Sequence, residues 1–317
     1  MLMLKPLNVM KKTKLYLIPL LLIGFVVGCN GQDRGSNANE EVKMEKPGQL
    51  GMNKDSLEVQ VQQQAVDARE ENRSALVAEA VAAIDNVQSA LSNLEKKDKE
   101  AALADLEAGT GKLEILMARD PNLAFVPIDA SVKTVDLVAD LETIKMIKEA
   151  VREAIEDDYF QTVREEAANL ASELQITTVE MPLATFPTAM KLAASMIEKD
   201  SVDEAKIALY TAMNTLVVKE ERIPLPILRA QTMIDQAKSD DASDEDKKKE
   251  VLQLLDNAEY QLILAEELGY GKRDKEYAEL NKAIKELKKS VKDDGDSQGL
   301  FDSLKTKLSN FRKRIAS

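Results

Sequence analysis

The chain has 317 residues, of which 44% are apolar and 31% charged, and its net charge is −13. That is enough apolar material to bury a core in one or two domains. The absence of His removes the usual near-neutral general base and the commonest metal ligand, and a single Cys excludes an internal disulfide and a Cys metal site.

The N-terminus carries Lys5, Lys11, Lys12 and Lys14, after which Leu15 to Gly28 are uncharged. A membrane-spanning helix needs about 20 apolar residues. This shorter run behind a basic flank therefore predicts a signal peptide over residues 1–28. It ends in Val26-Val27-Gly28-Cys29, which resembles the bacterial lipobox and implies lipidation of Cys29, the only Cys. Asn30 rather than Asp follows it. Under the enterobacterial sorting rule that implies the outer membrane, facing the periplasm. Residues 29–55 are rich in Gly, Asn, Gln and charge, and predict a flexible tether.

From residue 56 to 317 the pattern is helical, and the fold class expected is all-α, a multi-helix bundle or an array of helical hairpins. Aromatics are 4% and Trp is absent, so Leu, Ile, Val, Ala and Met must build the core. Val66, Leu76, Val77, Ala80, Ile84, Val87, Leu91 and Leu94 predict a first helix of about 40 residues, with or without a break. Asp98 is placed to cap a second helix through Leu116, which Asp120-Pro121 stops. Further helices are expected at 134–155, 160–174, 187–199, 202–216 and 226–238. Ser243 can cap a long helix to Leu268 that Gly269 and Gly271 end. Helices at 274–292 and 299–315 close the chain. Residues 174–183 and 216–225 form a weak repeat at a 42-residue offset, each an extended run, a Pro-Leu step and a new helix. Their β-branched stretches, near 175–182 and 217–223, can pair as two short strands.

Gly111 to Asp129 followed by Val135 to Lys145, then Met181 to Pro187 with Asn214 to Pro226, and Leu264 to Gly271 form three groups of segments. In this order and spacing they resemble the YfdX family of bacterial exported proteins. The resemblance implies a helical, oligomeric envelope protein linked to stress, and supplies no reaction and no catalytic residues.

Arg119, Asp120 and Asp129 are expected in an inter-helix loop, where functional groups concentrate. Asp136 and Asp140, four apart on a helix from Thr134, would share one face. Such a carboxylate pair can bind a cation or do acid–base work. The same residues equally suit turn and capping chemistry, with Ser131 or Thr134 as the cap. Phe186, Tyr210 and Tyr270 can line a groove or simply pack. The last helix has an apolar stripe of Leu300, Phe301, Leu304, Leu308, Phe311 and Ile315 beside Lys305, Lys307, Arg312, Lys313 and Arg314. It can lie on an anionic membrane or dock on the body.

Charge is unevenly spread: +4 over 1–28 and +5 over 272–317, which leaves −22 over 29–271. That acidic body argues against nucleic acid as a partner. It also predicts that assembly or surface exposure changes between neutral pH and about 4.5, where Asp and Glu begin to protonate. The reading is a lipid-anchored, homo-oligomeric binding or chaperone-like protein, with membrane, small hydrophobic ligands or unfolded clients as partners. No catalysis, cofactor or metal is expected. The rivals are a hydrolase or metal enzyme using Asp136 and Asp140, and a structural envelope scaffold.

Overall fold

The computed structural model describes residues 44–240, 244–271 and 275–316. The expected signal peptide, Cys29, the start of the tether and the Ser243 cap lie outside the described residues. Within them are eleven helices and three strands, so the chain is mainly α.

Helices α1 (Lys54–Ser74) and α2 (Ala78–Glu95) divide what periodicity made one long helix. The break falls where Val77 turns extended and its amide donates to the Pro127 carbonyl at 3.0 Å. Asp98 caps α3 (Lys99–Arg119), accepting from the Ala101 amide. Strand β1 (Phe125–Val135) comes next, then α4 (Leu141–Glu156), α5 (Phe160–Ala168), β2 (Glu173–Pro182), α6 (Phe186–Glu198), α7 (Val202–Met213) and β3 (Val217–Pro224). The chain ends in α8 (Leu225–Ser239), α9 (Glu245–Glu267), α10 (Lys275–Lys292) and α11 (Gln298–Ile315).

Two expected helices need correction. The one placed from Thr134 begins only at Leu141, because residues 125–135 form a strand. The one placed to Leu174 stops at Ala168, because Glu173 already pairs in the sheet. The three strands are antiparallel in the order β1-β2-β3, with a bulge between Pro127 and Asp129. The two repeated segments are therefore neighbours, Leu174 opposite Ile223 and Thr178 opposite Lys219. Each strand ends in Pro and leads into a helix: Pro182 before α6, Pro224 before α8. Because β2 and β3 run in opposite directions, α6 and α8 leave from opposite ends of the sheet and enter different cores.

The first core joins α2, α3, α6 and α7 to β1 and β2, through residues such as Leu94, Leu106, Leu113, Met181, Met190 and Leu209. It is rich in Ala, and Gly109 lets α3 sit close: a Cβ there would lie 2.6 Å from the Met190 Cε and 3.1 Å from the Asn86 Cβ. The second core joins α1 to α8, α9, α10 and α11. In α11, Phe301, Leu304, Leu308 and Phe311 are buried there. The amphipathic terminal helix therefore docks on the body. The stretch expected as tether packs from Met44 onward. Leu50 and Met52 lie on the second core, and Asn257 donates to the Gln49 carbonyl.

Candidate functional site

The sheet, the second core and the α4–α5 hairpin meet where β1 ends and β2 begins. Val135 and Glu173 form the last β1–β2 pair. Asp136 follows one strand, and Ser172 precedes the other. Ser172 Oγ donates to Asp136 Oδ1 at 2.8 Å, tying the two legs of the hairpin together. Arg229 on α8 grips the same carboxylate from both oxygens, with Nη2 2.6 Å from Oδ2 and Nη1 3.2 Å from Oδ1. Its Nη2 also lies 3.2 Å from Glu58 Oε2 on α1. The fork-to-fork geometry is the strong form of an Arg–carboxylate pair. Ser172 further donates its amide to the Tyr270 hydroxyl at 2.8 Å, and the Tyr277 hydroxyl donates to the Tyr270 carbonyl at 2.7 Å. One cluster thus joins α1, α8, the α9–α10 turn and both legs of the hairpin.

Its electrostatics favour charge on the pair. Burial pushes the Asp136 carboxyl up, but hydrogen bonds and charge from Arg229, with the Ser172 hydroxyl, outweigh burial and hold it below the usual carboxylate value. Burial likewise opposes charge on Arg229, and Asp136 and Glu58 more than offset it. Burial raises the Tyr270 hydroxyl well above its ordinary value, against the pull of the Ser172 amide, so it stays a neutral phenol. Arg229 is only 13% exposed, and its Nε has no hydrogen-bond partner among the described residues.

The sequence singled out Asp136 and Tyr270, and the structure brings both onto Ser172. It does not bring Asp136 and Asp140 together on a helix face. Asp136 lies in the link after β1, and Asp140 is the N-cap of α4, accepting from the Thr143 amide and hydroxyl. Ser131 and Thr134 cap nothing, because both are inside β1. Arg119 pairs on the surface with Glu79 and Asp120. Asp129 is exposed at the β1 bulge and accepts from the Ala130 amide. Phe186 is fully buried in the first core, Tyr210 is exposed on α7, and Tyr270 is in the cluster, so these three do not line one groove. Among the described residues, no group of three or more His, Cys, Asp or Glu is placed to hold a metal. A charge-lined cleft of about 490 Å³ opens beside Lys248, Lys249 and Lys292, away from every residue singled out above.

Beyond the cluster the α4–α5 hairpin stands off the body. No residue of α5 is buried, and α4 buries only Leu141, Ile144 and Ala154. Leu141 and Ile144 share a small apolar patch with Tyr260 and Leu264 of α9. The remainder presents Met146, Ile155, Tyr159 and Phe160, which are 72%, 51%, 64% and 62% exposed. Sequence reading missed this face, and also Arg229 and Ser172.

The YfdX protein family model matches residues 83–222, from within α2 to β3. This segment belongs to the YfdX family. It contains most of the first core, the sheet and the α4–α5 hairpin, whereas α1 and α8–α11 lie outside it. Among solved structures, YfdX from Salmonella Typhi is similar at 13% identity. That likeness covers 47% of this chain and 93% of that one, with a TM-score of 0.35. No curated protein matches the chain. No helix among the described residues is long and apolar enough to cross a membrane.

Proposed function

We propose that this YfdX-family chain is a lipid-anchored envelope protein that binds hydrophobic ligands or unfolding clients and does not catalyse a reaction. The observation that carries the reading is the α4–α5 hairpin, which holds Met146, Ile155, Tyr159 and Phe160 in solvent. Ile155, Tyr159 and Phe160 lie close together in sequence at the tip of the arm, and exposed apolar side chains gathered in this way suit an interaction site. Asp136, which lies between the two legs of the hairpin, is paired with Arg229, so it serves as a structural counter-ion. Cys29 supplies the membrane attachment, and the protein assembles as a homo-oligomer in the periplasm on the outer membrane, where it answers stress that includes acid.

Light-scattering mass of the chain from residue 29, with a hydrophobic dye, tests this at pH 7 and about 4.5. A reversible change in mass with added dye binding is the expected result. Constant mass and a silent dye at both values would remove the binding role. Replacement of Cys29→Ser should abolish incorporation of labelled fatty acid and release the protein from membranes; continued membrane retention would refute the anchor.

A further inference from the structure

The exposed arm has an unusual support. Most helices here are held by apolar faces in one of the two cores, and α5 contributes to neither. The arm's apolar seat is the small patch of Leu141 and Ile144 on Tyr260 and Leu264. Leu137, Ala139 and Leu170 of the two links also pack against that patch, and the rest of the support is polar, mostly at the root. Asp136 is held by Arg229, Ser172 ties the return leg to Asp136, and the Ser172 amide is held by Tyr270. Midway along α4, Lys148 pairs with the Glu267 carboxylate and donates to the Glu267 carbonyl at 3.0 Å, and at its start the Leu141 amide donates to the Tyr260 hydroxyl at 3.3 Å. Hydrogen bonds lose strength steeply with misalignment, whereas apolar contact is non-directional. A segment seated by one small apolar patch and a few directional bonds changes direction when the bonds break, while the cores, which contain no α5 residue, stay folded.

We propose that the α4–α5 hairpin is a hinged arm, held in its present direction by the clasp that Asp136, Arg229, Ser172 and Tyr270 form at its root. The links 136–140 and 169–172 are the hinge. Arg229 reaches the clasp from α8, which lies outside the family-matching segment. The second core therefore sets the direction of an arm that belongs to the family-matching segment. Breaking the clasp lets the hairpin swing as a unit. The 16-residue α4 is about 24 Å long, so a turn of roughly 25° at the root moves the tip by about 10 Å.

The test is a spin-label distance between Glu156→Cys at the arm tip and Lys289→Cys on α10, in the chain from residue 29 carrying Cys29→Ser. A control pair, Glu107→Cys with Lys289→Cys, reads the separation of the two cores. Asp136→Ala removes both the Arg229 fork and the Ser172 bond and so breaks the clasp, whereas Ser172→Ala alone removes only the second; the double variant Ser172→Ala, Arg229→Lys keeps the test open if Asp136→Ala folds poorly. The expected result is a tip distance that broadens and shifts by on the order of 10 Å while the control pair is unchanged. A tip distance unchanged in Asp136→Ala, or in the double variant if Asp136→Ala does not fold, would overturn the hinge. So would an equal shift in the control pair, which would mean that the cores separate and the arm stays fixed. No client is present, so the hinge is judged independently of the binding role.

Discussion

The two cores of this chain are built differently. The first is packed close through small residues, with Ala80, Ala83, Ala90, Ala102, Ala193, Ala205 and Ala212 all buried and Gly109 at the tightest approach. The second is filled by larger Leu, Ile, Tyr and Phe side chains and cross-linked by charges. Lys288 lies 2.6 Å from Glu259 and 2.7 Å from Asp256, Lys248 lies 2.7 Å from Asp294, and Arg229 holds Asp136. The family match covers most of the first core and stops before α8. The contrast teaches a division of labour. Shape specifies the family segment, whereas placed ion pairs join the added helices to each other and to the root of the arm.

The largest expected effect separates the two by shape. Leu209→Ala, in the first core, should cost about 2–5 kcal/mol, read as a lower denaturation midpoint with the same slope. A cost below about 1 kcal/mol would show that this core is loosely packed. Next, Lys288→Met leaves the buried Glu259 carboxylate with Lys285, 3.7 Å away, as its one remaining cation among the described residues, and should destabilise by less than the roughly 3–5 kcal/mol of a fully unpaired buried charge. Adding Glu259→Leu should restore most of that, because removing both partners leaves no orphaned charge. A double variant worse than the single would mean that the pair itself stabilises the second core.

The smallest effect concerns pH. The folded Asp136 carboxyl lies below its ordinary value. Its contribution is therefore fully present above the unfolded value of about 3.9 and is lost as pH falls through the lower folded one. Asp136→Asn should lower the melting temperature at pH 7 and flatten its fall below pH 4. An acid limb identical to that of the unaltered chain would remove Asp136 from the acid response.

How far the sequence reached depended on how local each cause was. Helices α3, α6, α8 and α11 were legible because their caps, Pro steps and apolar stripes lie within each segment. The β2–β3 pairing was legible through the repeated β-branched runs before Pro182 and Pro224. Strand β1 was not, although Ala130, Val132 and Thr134 alternate with Ser131 and Lys133. The bulge at Pro127 and Asp129 breaks the two-residue period, and Leu137, Leu141 and Ile144 just after the strand recur at helical spacing. The clasp was half legible. Asp136 and Tyr270 drew notice, but Arg229 looks like any charge on a helix, and its carboxylate partner is 93 residues away. The exposed face of the arm was hidden for a related reason: Ile155, Tyr159 and Phe160 look like core residues until the tertiary fold leaves them uncovered.

The central claim is that the arm face does the binding. The most direct measurement compares protection of an aggregating client by the unaltered chain with protection by a Tyr159→Ser, Phe160→Ser double variant. The melting temperature should not change, because both side chains are solvent-exposed. Most of the client protection and dye fluorescence should be lost together. Full protection by a variant that folds equally well would contradict the account and move the binding surface elsewhere on the molecule.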